Sequence, residues 1–189
     1  RFLRNVMGLW VLNEAVRTAG WDMKAALAAG ADAPAFGPIV DIDAPEFLPP
    51  GDMPARIEAA CLKTGQKPPA GQGELVRCIL ESLATAYRRT LRKIIELTGS
   101  EIDVIHIVGG GAKNELLCEL TAAACDRPVI AGPTEATALG NILVQARTLG
   151  MDLPDRWAMR SLIAESQTVR MYQPGPATTR WDAAETRMG

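Results

Sequence analysis

Three consecutive glycines, Gly109, Gly110 and Gly111, with Asn114 at the sixth position, are the residues of this chain best suited to hold a ligand. Glycines can turn sharply, take up positive φ and bring bare backbone against a bound molecule. The apolar periodicity that begins near Ala112 predicts a helix over 112–125. Its first N–H groups and positive dipole end would face the space above the turn, which suits an anionic phosphate. In this reading Asn114 lies in the first helical turn and faces the glycine gap, with an amide able to donate and accept. A glycine turn between strand and helix also serves as a plain tight connection, so the motif needs context. Two nucleotide motifs are excluded. A P-loop ends in Gly-Lys-Ser/Thr, and this turn does not. The dinucleotide fingerprint needs glycine where Asn114 stands and a carboxylate closing the next strand, and none closes residues 128–131.

Other reactive side chains are few. His106 is the only histidine and sits mid-strand between isoleucines, the setting of a core or interface histidine. One histidine and four scattered cysteines make no metal cluster, and no Ser-His-Asp or Cys-His set can be assembled. Cys118 and Cys125 are two helical turns apart, about 10 Å at 1.5 Å per residue, and cannot bridge. Cys61 and Cys78 fall near the facing ends of two predicted helices. If those helices form an antiparallel hairpin the two sulfurs meet, as buried thiols or, in an oxidising compartment, as a disulfide.

The elements that must position the turn follow from periodicity. Helical spacing predicts an opening helix over 2–19 ended by Gly20, and a short helix capped by Asp22 and running to Gly30. Residues 39–42 read as a short strand. Asp52, with Pro54 behind it, predicts a helix to Lys63. The longest helical signal runs over 74–97 and is stopped by Gly99. Its basic residues Arg88, Arg89, Arg92 and Lys93 lie off the apolar stripe, as a solvated face would. From there the pattern alternates: strand 103–108, helix 112–125, strand 128–131, and helix 135–149 capped by Thr134. The apolar run of the first of these strands predicts that it is buried. Alternation of this kind points to an α/β layered domain with parallel strands. A short helix over 156–163, a strand over 168–172 and a last helix from about Thr179 complete the reading.

Composition narrows the class. The chain has 189 residues and a formal net charge of −2, enough length for one domain with a good-sized core. There is no basic patch and aromatic residues make up only 5%, so nucleic acid is an unsuitable partner. No apolar run has the length of a membrane span. No signal peptide is visible, and a cytoplasmic location is expected. The chain opens without Met, directly before an amphipathic pattern. That opening predicts a segment of a longer chain.

Three stretches together carry a resemblance. They are residues 4–10 (Arg-Asn-Val-Met-Gly-Leu-Trp), residues 107–114 (Ile-Val-Gly-Gly-Gly-Ala-Lys-Asn) and residues 130–141 (Ile-Ala-Gly-Pro-Thr-Glu-Ala-Thr-Ala-Leu-Gly-Asn). They resemble the FGGY carbohydrate kinases over roughly residues 2–150, in the C-terminal half of such enzymes. The glycine turn is shared by many members. The opening stretch, the third stretch and the spacing of Cys61 and Cys78 are nearest to the members that act on L-rhamnulose.

The resemblance implies an actin-like, ribonuclease H-like ATPase domain, the nucleotide-binding half of an enzyme in which two domains close on MgATP and a sugar. It implies ATP-dependent phosphorylation of L-rhamnulose at its C1 hydroxyl, with ATP and Mg2+ as cofactors. Gly109, Gly110 and Gly111, with Asn114, would lie against the nucleotide, Gly110 nearest. Asn5 matches a sugar-contacting position. Asn13 falls where relatives commonly carry a nucleotide-contacting glutamine, and its amide, one methylene shorter, leaves a gap that a water can bridge. The general base is an aspartate in the N-terminal, sugar-binding domain, which these residues do not include, so they are expected to be inactive alone. Two alternatives stay open: another FGGY kinase, such as one acting on xylulose or gluconate, and a non-catalytic actin-like or chaperone-like nucleotide-binding module. The opening stretch speaks against the second, because it resembles a sugar-site element.

Overall fold

A computed structural model describes residues 3–175 and 179–188. The molecule is built on one long helix. Helix α4 (Gln72–Thr98) spans 27 residues, and twelve of them, from Leu75 to Arg88, are buried. Its apolar stripe gathers α1 (Trp10–Ala19), α2 (Met23–Asp32), α3 (Met53–Lys63) and α5 (Glu115–Cys125) into one core. Val11, Leu12, Phe47, Ile57, Ile79, Leu80 and Leu83 are fully or almost fully buried there. Gly99 ends α4 in the left-handed conformation (φ 62°), and Gly20 ends α1 in the same way (φ 66°). Asp22 and Asp52 cap α2 and α3 through the N–H groups of Ala25 and Ala55.

Helices α2 and α4 cross at glycines. A Cβ on Gly73 would lie 2.5 Å from the Ala29 carbonyl oxygen, and one on Gly30 would lie 2.6 Å from Val76 Cγ1. The backbones touch because neither residue has a side chain.

The sheet is small. Strand β1 (Ile105–Ile107) pairs in parallel with β2 (Val129–Ala131), and β3 (Arg170–Tyr172) joins β2 antiparallel, in the order β1-β2-β3. The parallel β1–α5–β2 unit is the one that alternation predicts, while the third strand runs the other way. Helices α6 (Ala136–Thr148) and α7 (Arg156–Ser166) lie between β2 and β3 in sequence, and α8 (Arg180–Thr186) returns to α4. In α6 only Leu143 is buried, and in α7 no residue is.

Five local expectations need correction. The opening helix starts at Trp10, not at residue 2: residues 3–8 form no regular element and Leu3 is exposed. Ile39, Val40 and Ile42 are buried, but residues 39–42 form no strand. The Ile39 N–H and C=O bond the Gln66 carboxamide at 3.0 and 2.7 Å, and the Val40 N–H bonds Ser82 Oγ at 3.0 Å. Side chains thus replace a neighbouring strand. Among the described residues strand β1 is an edge strand with half-buried isoleucines, and His106 on it is exposed, which removes the core reading and leaves the interface one. Helix α6 starts after Glu135, without the predicted Thr134 side-chain cap. Finally, the basic face of α4 is solvated only in part: Arg92 and Lys93 are exposed, while Arg88 is not. Arg88 is buried and donates to the Ala124 carbonyl and Asp182, Arg92 reaches Asp182 and Glu185, and Arg89 reaches Asp41 at 3.1 Å. They fasten α8 and the 39–44 loop to α4.

Candidate functional site

The glycine turn forms where β1 ends. Gly109 takes φ 74°, a conformation that suits glycine, and donates its N–H to the Pro133 carbonyl at 3.1 Å. Residues Gly109–Lys113 then wind into a single 3₁₀ turn instead of opening the α-helix. This corrects the expected start of the helix at 112. Asn114 is the N-cap of α5. Its Oδ1 accepts the Leu117 N–H at 3.0 Å, and the residue is 6% exposed. Its carboxamide oxygen therefore serves the helix, which corrects the picture of an amide facing the gap. An Asn followed by an acidic residue and an apolar run is an N-cap signal that was legible in the sequence.

Space above the turn differs from glycine to glycine. A Cβ on Gly110 would meet nothing within 4 Å, and the residue is exposed. On Gly111 it would press on Ile107 Cγ2 at 3.3 Å. The Gly109 N–H is taken by Pro133, but the next N–H of the turn, that of Gly110, has no partner within it and can serve a ligand.

The loop after β2 lies beside the turn, because parallel strands place their carboxyl ends together. Gly132 donates to the Ile107 carbonyl at 2.8 Å, and the Thr134 carbonyl is the nearest group to a Cβ on Gly109, at 3.9 Å. The Gly132–Pro133 bond is cis. Ligands of open α/β sheets bind outside the carboxyl ends of the strands, and both loops stand there. Sequence reasoning did not place the 132–135 loop in the site. The Gly-Pro pair directly after an apolar run was the available signal.

A groove of about 560 Å³ brings the two main motifs together. It is lined by Val6, Gly8 and Leu9 from the opening segment and by His106, Val108 and Gly111 from β1 and its turn. Tyr87 and Thr90 of α4 line it too. Asn5 is exposed and adjoins this lining, and Asn13 is exposed one helical turn beyond Leu9. Of the expected site residues Gly111 alone lines the groove; Asn5, Asn13, Gly109, Gly110 and Asn114 lie outside its lining.

Burial governs the groups around the site. It pushes the Tyr87 hydroxyl up to about 12, with the charge of Asp43 adding to the effect. It also pushes the thiols of Cys118 and Cys125 up to about 11 and about 12. Cys61 and Cys78 are both buried and reduced, and their thiols hydrogen-bond one another. That bond lowers Cys61, and together with burial it raises Cys78. Among the described residues no group of three or more His, Cys, Asp or Glu could hold a metal ion, and no helix is long and apolar enough to cross a membrane.

The profile of the FGGY family of carbohydrate kinases, C-terminal domain, matches residues 1–149. The chain belongs to this family. Among its relatives, a rhamnulokinase of Enterococcus faecalis is 43% identical over 180 residues, covering 93% of this chain and 36% of that protein. A rhamnulokinase of Bacteroides thetaiotaomicron is 40% identical over 185 residues, covering 97% and 38%. The chain thus spans little more than a third of the length of these relatives. The fold is shared with the crystal structure of xylulose kinase from Rhodospirillum rubrum, at a TM-score of 0.60 and 20% identity, covering 97% of this chain and 37% of that one. A gluconate kinase from Lactobacillus acidophilus gives 0.61 and 17%, covering 96% and 36%. The architecture is that of the actin-like ATPase domain found C-terminally in FGGY kinases.

Proposed function

We propose that this chain is the C-terminal, nucleotide-binding domain of a rhamnulokinase, completed by an N-terminal domain that carries the general base and most sugar contacts. The activity is transfer of the ATP γ-phosphoryl group to the C1 hydroxyl of L-rhamnulose, in the cytoplasm. The observation that carries the reading is the groove lined both by Val6, Gly8 and Leu9, beside Asn5 in the opening segment, and by Gly111 of the glycine turn. The choice among sugars rests on identities near 40% with rhamnulokinases, against 17–20% with the xylulose and gluconate kinases.

In this reading each element has a physical task. Phosphoryl transfer depends mainly on positioning and on stabilising charge. The amide of Gly110 faces the phosphates, and this residue, with open space where a Cβ would stand, lets the nucleotide approach the backbone. Asn114 sets the direction of α5 and thereby the turn. Asn13 approaches the nucleotide and Asn5 the sugar. Bound with the nucleotide, Mg2+ would supply charge neutralisation at the phosphates.

The test is kinetic. Joined to its N-terminal domain, the chain should phosphorylate L-rhamnulose in preference to D-xylulose and D-gluconate, and the 189 residues alone should not turn over. Preference for D-xylulose or D-gluconate would reassign the sugar. MgADP binding with no sugar transfer in the joined protein would favour the non-catalytic module.

A further inference from the structure

One carboxylate holds the opening segment from both sides of Asn5. Residues 3–8 form no helix or strand. Among the described residues, their polar ties to the body converge on Asp43. Its Oδ1 accepts the Met7 N–H at 2.7 Å, and its Oδ2 lies 3.5 Å from Arg4 Nη2. Arg4 and Met7 bracket Asn5. The Asp43 side chain is 18% exposed, and its Oδ2 is buried without a hydrogen bond. The pairing with Arg4 is thus one of charge at slightly more than hydrogen-bond length.

Asp43 is itself anchored. The loop that carries it is tied to α4 through the Val40 N–H on Ser82 and through Asp41 on Arg89. It is tied to the connection after α3 through the Gln66 carboxamide on Ile39, and within itself through the Ala44 N–H on the Asp41 carbonyl. A path of hydrogen bonds therefore runs from the central helix to a segment with no regular structure of its own. A ligand contact on such a segment is only as well placed as its anchor, and misplacement far from the chemistry is costly.

We propose that Asp43 is a positioning residue for the sugar: it touches no substrate and sets the place of Asn5 through Met7 and Arg4. The proposal rests on the sugar-kinase reading for the role of Asn5, and on the geometry alone for the anchoring.

The experiment uses the chain joined to its N-terminal domain, with Asp43→Ala and Asp43→Asn. Losing a hydrogen bond to a charged acceptor corresponds to about a tenfold or greater effect. Asp43→Ala should raise the KM for L-rhamnulose about tenfold, leave the KM for ATP within about twofold, and leave the melting temperature close to wild type. Asp43→Asn keeps an acceptor for the Met7 N–H and should recover much of the loss. Amide exchange at Met7 should accelerate in Asp43→Ala and stay slow in Asp43→Asn. Equal losses for sugar and ATP with a lowered melting temperature would show a general structural role and overturn the proposal. So would unchanged exchange at Met7. A parent enzyme that phosphorylates no ketose would instead overturn the sugar-kinase reading, and the exchange experiment would still decide the anchoring.

Discussion

Replacing Gly73 by alanine sets two effects against each other. Helix propensity favours alanine over glycine by about 1 kcal/mol in a helix interior. The crossing of α2 and α4 opposes it. The new Cβ would stand 2.5 Å from the Ala29 carbonyl oxygen and 3.0 Å from its carbon. A relaxed carbon–oxygen contact is about 3.3 Å, so the helices must part by about 0.8 Å. The obstacle is backbone and cannot rotate aside. Overpacking of this kind costs about 1–3 kcal/mol, and Gly73, near the start of α4, gains less than the full propensity term. The net expectation is destabilisation of about 1–2 kcal/mol, or a melting temperature lower by about 2–8 °C for a domain of this size. Gly140 is the control. It lies inside α6, and a Cβ there meets nothing within 4 Å, so Gly140→Ala should stabilise by up to about 1 kcal/mol. Urea unfolding of both variants reads the difference. A stabilised Gly73→Ala would refute the close crossing of α2 and α4.

Glu81 is 1% exposed, and its carboxylate accepts the Phe36 N–H and Arg77 Nε at 2.7 Å. Glu81→Ala strands both donors and should cost about 3–5 kcal/mol in chemical denaturation. The carboxyl of Glu14 is held down to about 2 from 4.5, first by its hydrogen bond from Arg17 and then by the Gly51 N–H. A depressed acid contributes stability that is present above pH 4.5 and lost as pH falls toward 2. Glu14→Gln should flatten that part of the stability profile, as acid titration of the melting temperature will show. All four cysteines are buried and reduced, so native protein should react with a disulfide reagent far more slowly than urea-unfolded protein, as thiol titration will show.

What could be read in advance was local. Asp22, Asp52, Gly20 and Gly99 mark helix ends because caps act within one turn. The glycine turn, the alternation around it and the parallel pairing of β1 and β2 follow from short stretches as well. The errors arose where distant residues decide. Residues 39–42 look like a strand, but Gln66 and Ser82 satisfy their backbone. Arg88 looks solvated along the helix, but α8, about 90 residues later, brings Asp182 and Glu185 to it. His106 looks like a core residue between isoleucines, but among the described residues β1 has a neighbouring strand on one side only. The same limit applies at the site. The turn was visible, whereas its approach to Val6, Gly8 and Leu9, and the Pro133 carbonyl that fastens Gly109, required the fold.

The central claim is that the glycine turn seats a nucleotide, and calorimetric titration with MgADP tests it most directly. The chain and its Gly110→Val variant are to be compared, since added atoms at Gly110 meet open space and should leave the fold intact. The account predicts binding by the parent, abolished in the variant, with unchanged melting temperatures. Binding of equal strength to both would contradict it.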